Sequence, residues 1–220
     1  MRKLMFVLVF WVVPCGFAEE SKPLADAGTV TCDYSPPTGN RSQWVTSSTG
    51  FSTAVELQTA INGSGNHRRC VTSWRLHLRR QDGNEQVITV GQREDTPDDN
   101  EWTQENSFQI DGWSQDGNIV VTSQIQAQGD WDETTPILFD FTKKRYSRVE
   151  LFPLFKAKIP AGCYVLFRIL GVSDSGAVLI SAFSTDDDRA PGTPQCFPES
   201  RWKLDSRNRS ITRVARQQKK

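Results

Sequence analysis

Apolar and polar residues alternate along most of this chain in short runs broken by clusters of Gly, Asp, Asn and Ser, a pattern that predicts β-strands joined by tight turns. The clearest stretch runs from Ile110 to Ser123. Ile110-Asp111-Gly112-Trp113 reads as a strand, Ser114-Gln115-Asp116-Gly117-Asn118 as a turn rich in residues that tolerate positive φ, and Ile119-Val120-Val121-Thr122 as a β-branched buried strand. The stretch recurs 59 residues later from Ile169 to Ala182, where Gly171, Ser173 and Gly176 match Gly112, Ser114 and Gly117. Such a period points to a repeated all-β unit.

Two further strands complete the unit. Trp74-Arg75-Leu76-His77-Leu78 alternates, turns at Gln81-Asp82-Gly83-Asn84 and returns as Gln86 to Val90, with Leu76 and Leu78 expected inward and Arg75, His77 and Arg79 outward. Ile137 to Phe141 with Tyr146 to Leu151, and Arg201 to Leu204 with Ser210 to Val214, repeat that hairpin in outline. Thr29 to Tyr34 and Gln43 to Ser47 read as strands of a degenerate first unit, with Tyr34-Ser35-Pro36-Pro37-Thr38-Gly39 as its copy of the turn. Thr53 to Ile61 fits a strand or a short helix. Helix is expected in less than about a tenth of the chain, because no later stretch holds apolar residues at helical spacing for about three turns. If the copies are equivalent, Ile119 and Val121 should face as Val178 and Ile180 do, with Val120 and Leu179 on the other side.

Gly112-Trp113-Ser114-Gln115-Asp116-Gly117-Asn118, followed by Ile119 to Ser123 and later by Ile137-Leu138-Phe139-Asp140, resembles the WSPDG-type blade of TolB-like β-propellers. Gln115 stands where that family usually has Pro, and Val172-Ser173-Asp174-Ser175-Gly176 keeps only Ser and Gly. The resemblance implies an all-β fold of three four-stranded antiparallel blade-like repeats over residues 29–214. Propellers close with about four to eight blades, so three units would leave an open fragment or a half-ring that a homodimer completes. A β-sandwich is the alternative.

Residues 1–18 carry Arg2 and Lys3, an apolar run from Leu4 to Val13 and small residues at Gly16 and Ala18, the form of a secretory signal peptide. The run is shorter than the roughly 20 residues that span a bilayer, and no transmembrane segment is expected. The protein is accordingly expected outside the cytoplasm, secreted or periplasmic, with 19–28 a flexible leader, 29–214 a single domain and 215–220 a basic tail. Without residues 1–18 the chain holds 24 Lys and Arg against 26 Asp and Glu, which argues against a nucleic-acid partner. Seven Trp and twelve Phe suit an aromatic-rich core. Cys32, Cys70, Cys163 and Cys196 lie beyond the signal segment; their places in the repeat favour Cys32 with Cys70 and Cys163 with Cys196.

Acidic loops hold the remaining candidate chemistry. Glu94 to Glu105 surrounds Trp102; Asp130, Asp132 and Glu133 surround Trp131; Asp186, Asp187 and Asp188 form a third group. Trp102, Trp131, Asp130, Asp132, Asp186 and Asp187 are therefore the candidate ligand-loop residues. Ca²⁺ wants about six to eight oxygens, and no loop has the Asp-rich spacing of a dedicated site, so no cofactor or metal is assigned. Gly112-Trp113-Ser114 and Gly171-Val172-Ser173 begin like a nucleophile elbow but lack its final Gly and precede strands, and no catalytic residue is assigned. Asn40, Asn62 and Asn208 head glycosylation sequons. The functional expectation is an exported non-enzymatic binding or scaffold protein whose edge loops take a protein or glycan. The rival is a secreted glycan hydrolase working through paired loop carboxylates.

Overall fold

The computed structural model describes residues 22–31, 39–63, 69–95, 105–128, 131–173, 176–184, 195–205 and 209–214. The signal segment and the basic tail lie outside them. Three antiparallel sheets follow one another along the chain. In the first, β2 (Gly39–Arg41) and β3 (Val45–Thr46) share one long partner, β4 (Ser52–Asn62), which is followed by β5 (Arg69–Arg79) and β6 (Glu85–Asp95). The second contains β7 (Glu105–Trp113), β8 (Ile119–Gln128), β9 (Trp131–Asp140) and β10 (Arg145–Arg148) in sequence order, with β1 (Ala25–Thr31) added beside β7. The third contains β11 (Leu166–Val172), β12 (Val178–Phe183), β13 (Ser200–Asp205) and β14 (Ser210–Arg213). β12 pairs with β11 and β13 and not with β8, so the repeats occupy separate sheets, and none closes into a barrel. The helix α1 (Leu151–Phe155) is a single turn between the second and third sheets.

The second sheet lies between the other two. Val120, Phe108, Ile110, Ile137 and Phe139 pack with Val55, Leu57, Trp74, Leu76 and Leu78 of the first sheet. Val121 and Leu138 pack on the opposite side with Ile169, Val178, Ile180, Trp202 and Leu204 of the third. Adjacent residues of one strand thus feed two cores, which explains why Ile119-Val120-Val121 is an unbroken apolar run. Trp74 has no exposed surface, and its Nε1 donates to the Ser107 carbonyl across the seam at 3.3 Å.

Several expectations are corrected. The first sheet carries this turn at Ser47-Ser48-Thr49-Gly50; of the expected copy from Tyr34 to Gly39, all but Gly39 lies outside the described residues. Gly50 N donates to Ser47 O at 3.0 Å, as Gly117 does to Ser114 and Gly176 to Ser173, each at 2.8 Å. All three glycines have positive φ, between 66° and 82°, which L side chains adopt only at a cost. The predicted facing also slips by one residue. Trp113 pairs with Val120 and Val172 with Val178, so Val120 corresponds to Val178 and Val121 to Leu179. The cause is the turn: Ser114 N reaches Ile119 O, whereas Ser173 N reaches Ala177 O, one residue sooner. A one-residue difference in a strand exchanges its faces. The Thr53–Ile61 stretch is strand, in full register with β5. Ala25 to Gly28, expected in the flexible leader, belongs to β1, where pairing with β7 buries Ala27. The expected Gln43–Ser47 strand shrinks to Val45–Thr46, because the chain breaks strand geometry between β2 and β3 while Ser42 stays tied to Val55 of β4 through its N–H and its hydroxyl. Trp131 to Glu133, expected as loop, opens β9.

Candidate functional site

The two hairpins β5–β6 and β9–β10 lie on adjacent sheets, and a cleft of about 150 Å³ opens between them. Its floor is Leu78, Phe139 and Phe141, and its rim carries Arg80, Asn84, Glu85, Gln86 and Lys144. Strand parity places the floor: Leu78 and Phe139 are inward residues near their turns, and Phe141 continues past the end of β9. Phe141 is fixed by its N–H to Asn118 O at 2.9 Å and by stacking on Phe51 with ring centroids 4.4 Å apart.

The rim is built from turn chemistry. Asp140 Oδ1 accepts from the N–H groups of Thr142 and Lys143 at 3.0 and 3.1 Å. Partial burial pulls the Asp140 carboxyl up, but the hydrogen bonds from Thr142 and Lys143 outweigh it and hold the group below its ordinary value. The loop then ends at Lys144, whose φ of 52° is left-handed. The sister hairpin has Gly83 at φ 81°, and the third sheet has Arg209 at φ 47°. On the first hairpin, Asp82 accepts from the Asn84 N–H and side-chain amide at 3.0 and 2.7 Å, which lowers its pKa.

Glu85 ties the rim to the outward face of the first sheet. His77, outward as its strand position requires, is nonetheless nearly buried, with Nε2 2.6 Å from Glu56 and Nδ1 3.0 Å from Glu85. The second Glu85 oxygen lies 3.4 Å from Arg79. The His77 hydrogen bond, followed by Arg79, holds the Glu85 carboxyl below its ordinary value. Trp44 covers this network, its ring edge-on to His77 at 6.3 Å and beneath the Arg79 guanidinium at 4.0 Å. Among the described residues this face meets no other sheet, and its charges pair with one another.

A carboxyl shifted in the other direction sits at the seam of the second and third sheets. β7 bulges between Ile110 and Gly112, and Asp111 turns its carboxyl onto Ser123 Oγ and Gln109 Nε2. Desolvation pushes it up to about 7, against the lowering effect of those two hydrogen bonds. The site of a Cβ on Gly112 lies 3.2 Å from Val172 Cγ2, so a side chain there would crowd this junction.

Among the residues expected to matter, Cys163 and Cys196 form a disulfide with sulfurs 2.02 Å apart. Cys70 is disulfide-bonded, and Cys32 lies outside the described residues. Trp102, Asp130, Asp186 and Asp187 lie outside them as well. Trp131 pairs through its backbone with Gln128 at the start of β9. Asp132 is raised by desolvation and then by Glu105, and its N–H donates to Tyr164 Oη at 3.1 Å. Among the described residues no three His, Cys, Asp or Glu converge as metal ligands, and no helix is long and apolar enough to cross a membrane. The cleft was not anticipated. Each hairpin was readable alone, but only their juxtaposition makes a concave surface, and the one trace in the sequence is the pair Phe139 and Phe141 flanking Asp140.

No protein-family model matches the chain, and no curated protein or solved structure matches it.

Proposed function

We propose that this is an exported, non-enzymatic binding or scaffold protein of the cell envelope or exterior, built on blade-like repeats of the TolB type, and that the cleft between its first two outer hairpins is its ligand site. The observation that carries the reading is a concave apolar floor of Leu78, Phe139 and Phe141 ringed by Arg80, Asn84, Gln86 and Lys144, the form of a recognition pocket. The Cys163–Cys196 disulfide is compatible with an oxidising compartment. Hydrolysis of a glycan needs a carboxyl kept protonated beside the bond, and Glu85, the carboxyl on this rim, is shifted in the opposite direction.

A photo-crosslinking amino acid introduced at Asn84 or Gln86, in the chain exported from its native source, tests the reading. One discrete adduct from these positions and none from Thr212, an exposed residue of the third sheet, is the expected result. Equal labelling from Thr212, or none from the rim, would overturn it.

A further inference from the structure

Resting on that reading of the cleft, we propose that its ligand is a single aromatic ring bearing an anionic substituent, with Lys144 and Arg80 holding the anion. Size first limits the part of the occupant that sits inside the cleft. A space of about 150 Å³ is that of an engineered apolar cavity known to take one benzene ring, well short of the roughly 300 to 1,000 Å³ of sites for larger ligands. The floor offers two Phe rings and a Leu, with no polar atom to pair with ring hydroxyls, so a flat apolar ring suits it better than a sugar.

Charge selects the substituent. The rim's carboxylate, Glu85, is already engaged at both oxygens by His77 and Arg79. Nearby Asp140 is engaged by the Thr142–Lys143 turn, and Asp82 by Asn84. Among the described residues neither Arg80 nor Lys144 takes part in an ion pair. The Arg80 charge also helps to lower Asp82, but at longer range than an ion pair; two cations thus border the apolar pocket without a carboxylate in direct contact, and an anion on the ring would complete them. The left-handed loop end is a repeated feature, since Arg209 shares it; at position 144, however, it borders the cleft, where a glycine would relieve the backbone and lose the charge.

Ligand-observed NMR on the full mature chain, with phenyl sulfate, benzoate, benzyl alcohol and glucuronate as probes, tests the assignment. Saturable binding of phenyl sulfate and benzoate is expected, with benzyl alcohol weaker by about tenfold, the effect of losing one charge-assisted hydrogen bond, and no binding of glucuronate. Lys144→Gly and Arg80→Gln should each weaken phenyl sulfate about tenfold. Lys144→Gly should also raise the melting temperature, so its lost binding would not reflect unfolding. The inference falls if benzyl alcohol binds as well as benzoate, if glucuronate binds, or if Lys144→Gly binds like the parent. Those results leave the cleft a binding site, whereas no binding of any probe together with no crosslink from Asn84 removes both readings.

Discussion

Replacing Gly117 by Ala tests whether the repeated turns hold the sheets together or merely end strands. Gly117 has φ 66°, and a Cβ placed on it would lie 2.8 Å from Ser48 Oγ and 2.9 Å from Thr49 Oγ1, both in the equivalent turn of the first sheet. Thr49 Oγ1 also donates to Gly117 O at 2.9 Å, so giving way to the methyl group breaks that bond. The left-handed backbone costs an alanine about 1 kcal/mol, and the crowding with its lost hydrogen bond adds about 2 kcal/mol. Gly83 supplies the reference, having φ 81° and no atom near its Cβ position, so Gly83→Ala should cost about 1 kcal/mol. At about 2 to 4 °C per kcal/mol for a chain of this size, the melting temperature should fall about 3 °C for Gly83→Ala and about 9 °C for Gly117→Ala. Urea denaturation with the disulfides oxidised measures both. Adding Ser48→Ala, which removes one clashing oxygen, should recover about 1 kcal/mol in a double-mutant cycle. Equal losses at the two glycines, or no coupling to Ser48, would refute the idea that the turns lock together.

Asp111→Asn should change the pH dependence of stability. The native carboxyl keeps its proton up to about 7 while the unfolded chain ionises from about 3.8, so the parent loses stability as pH rises between those values and stays lower above them. At about 1.4 kcal/mol per pH unit the ceiling is about 4 kcal/mol; because Asp111 keeps part of its surface in water, a gain of about 2 kcal/mol for the Asn variant at pH 8, vanishing at pH 4, is expected, and denaturant titrations at the two pH values check it. Cys163→Ser opens a bridge spanning 33 residues; in the chain-entropy model this costs about 4 kcal/mol, and differential scanning of the variant against the parent would show it. His77→Ala leaves Glu56 and Glu85 without their shared partner and should cost about 2 kcal/mol. That loss should exceed the cost of Arg75→Ala on the same face, a comparison that chemical denaturation makes directly.

What the chain determines locally could be read without its structure. Alternation set the outer hairpins, so Leu76 and Leu78 enter the core and His77 faces away. The Ser and Gly of the repeated turn marked the opening pair of strands in the second and third sheets, because only a glycine takes the left-handed end of that turn cheaply. Long-range register decided the rest. An extra residue between Gly117 and Val120, the partner of Trp113, compared with Gly176 and Val178, the partner of Val172, exchanges the faces of two strands that look alike in sequence, and no local pattern counts it. Gln43 to Ser47 was legible as a strand, but the turn that follows it at Ser47 to Gly50 was not, because the short strand β3 stands only by pairing with β4. Glu56, His77 and Glu85 lie on three strands and meet through pairing alone. The cleft requires more still: two hairpins about 60 residues apart become its walls only when the core of Trp74, Phe108 and Phe139 draws their sheets face to face. Burial between sheets is a property of the packed chain, so the strands are legible from their residues, and the surface they enclose is not.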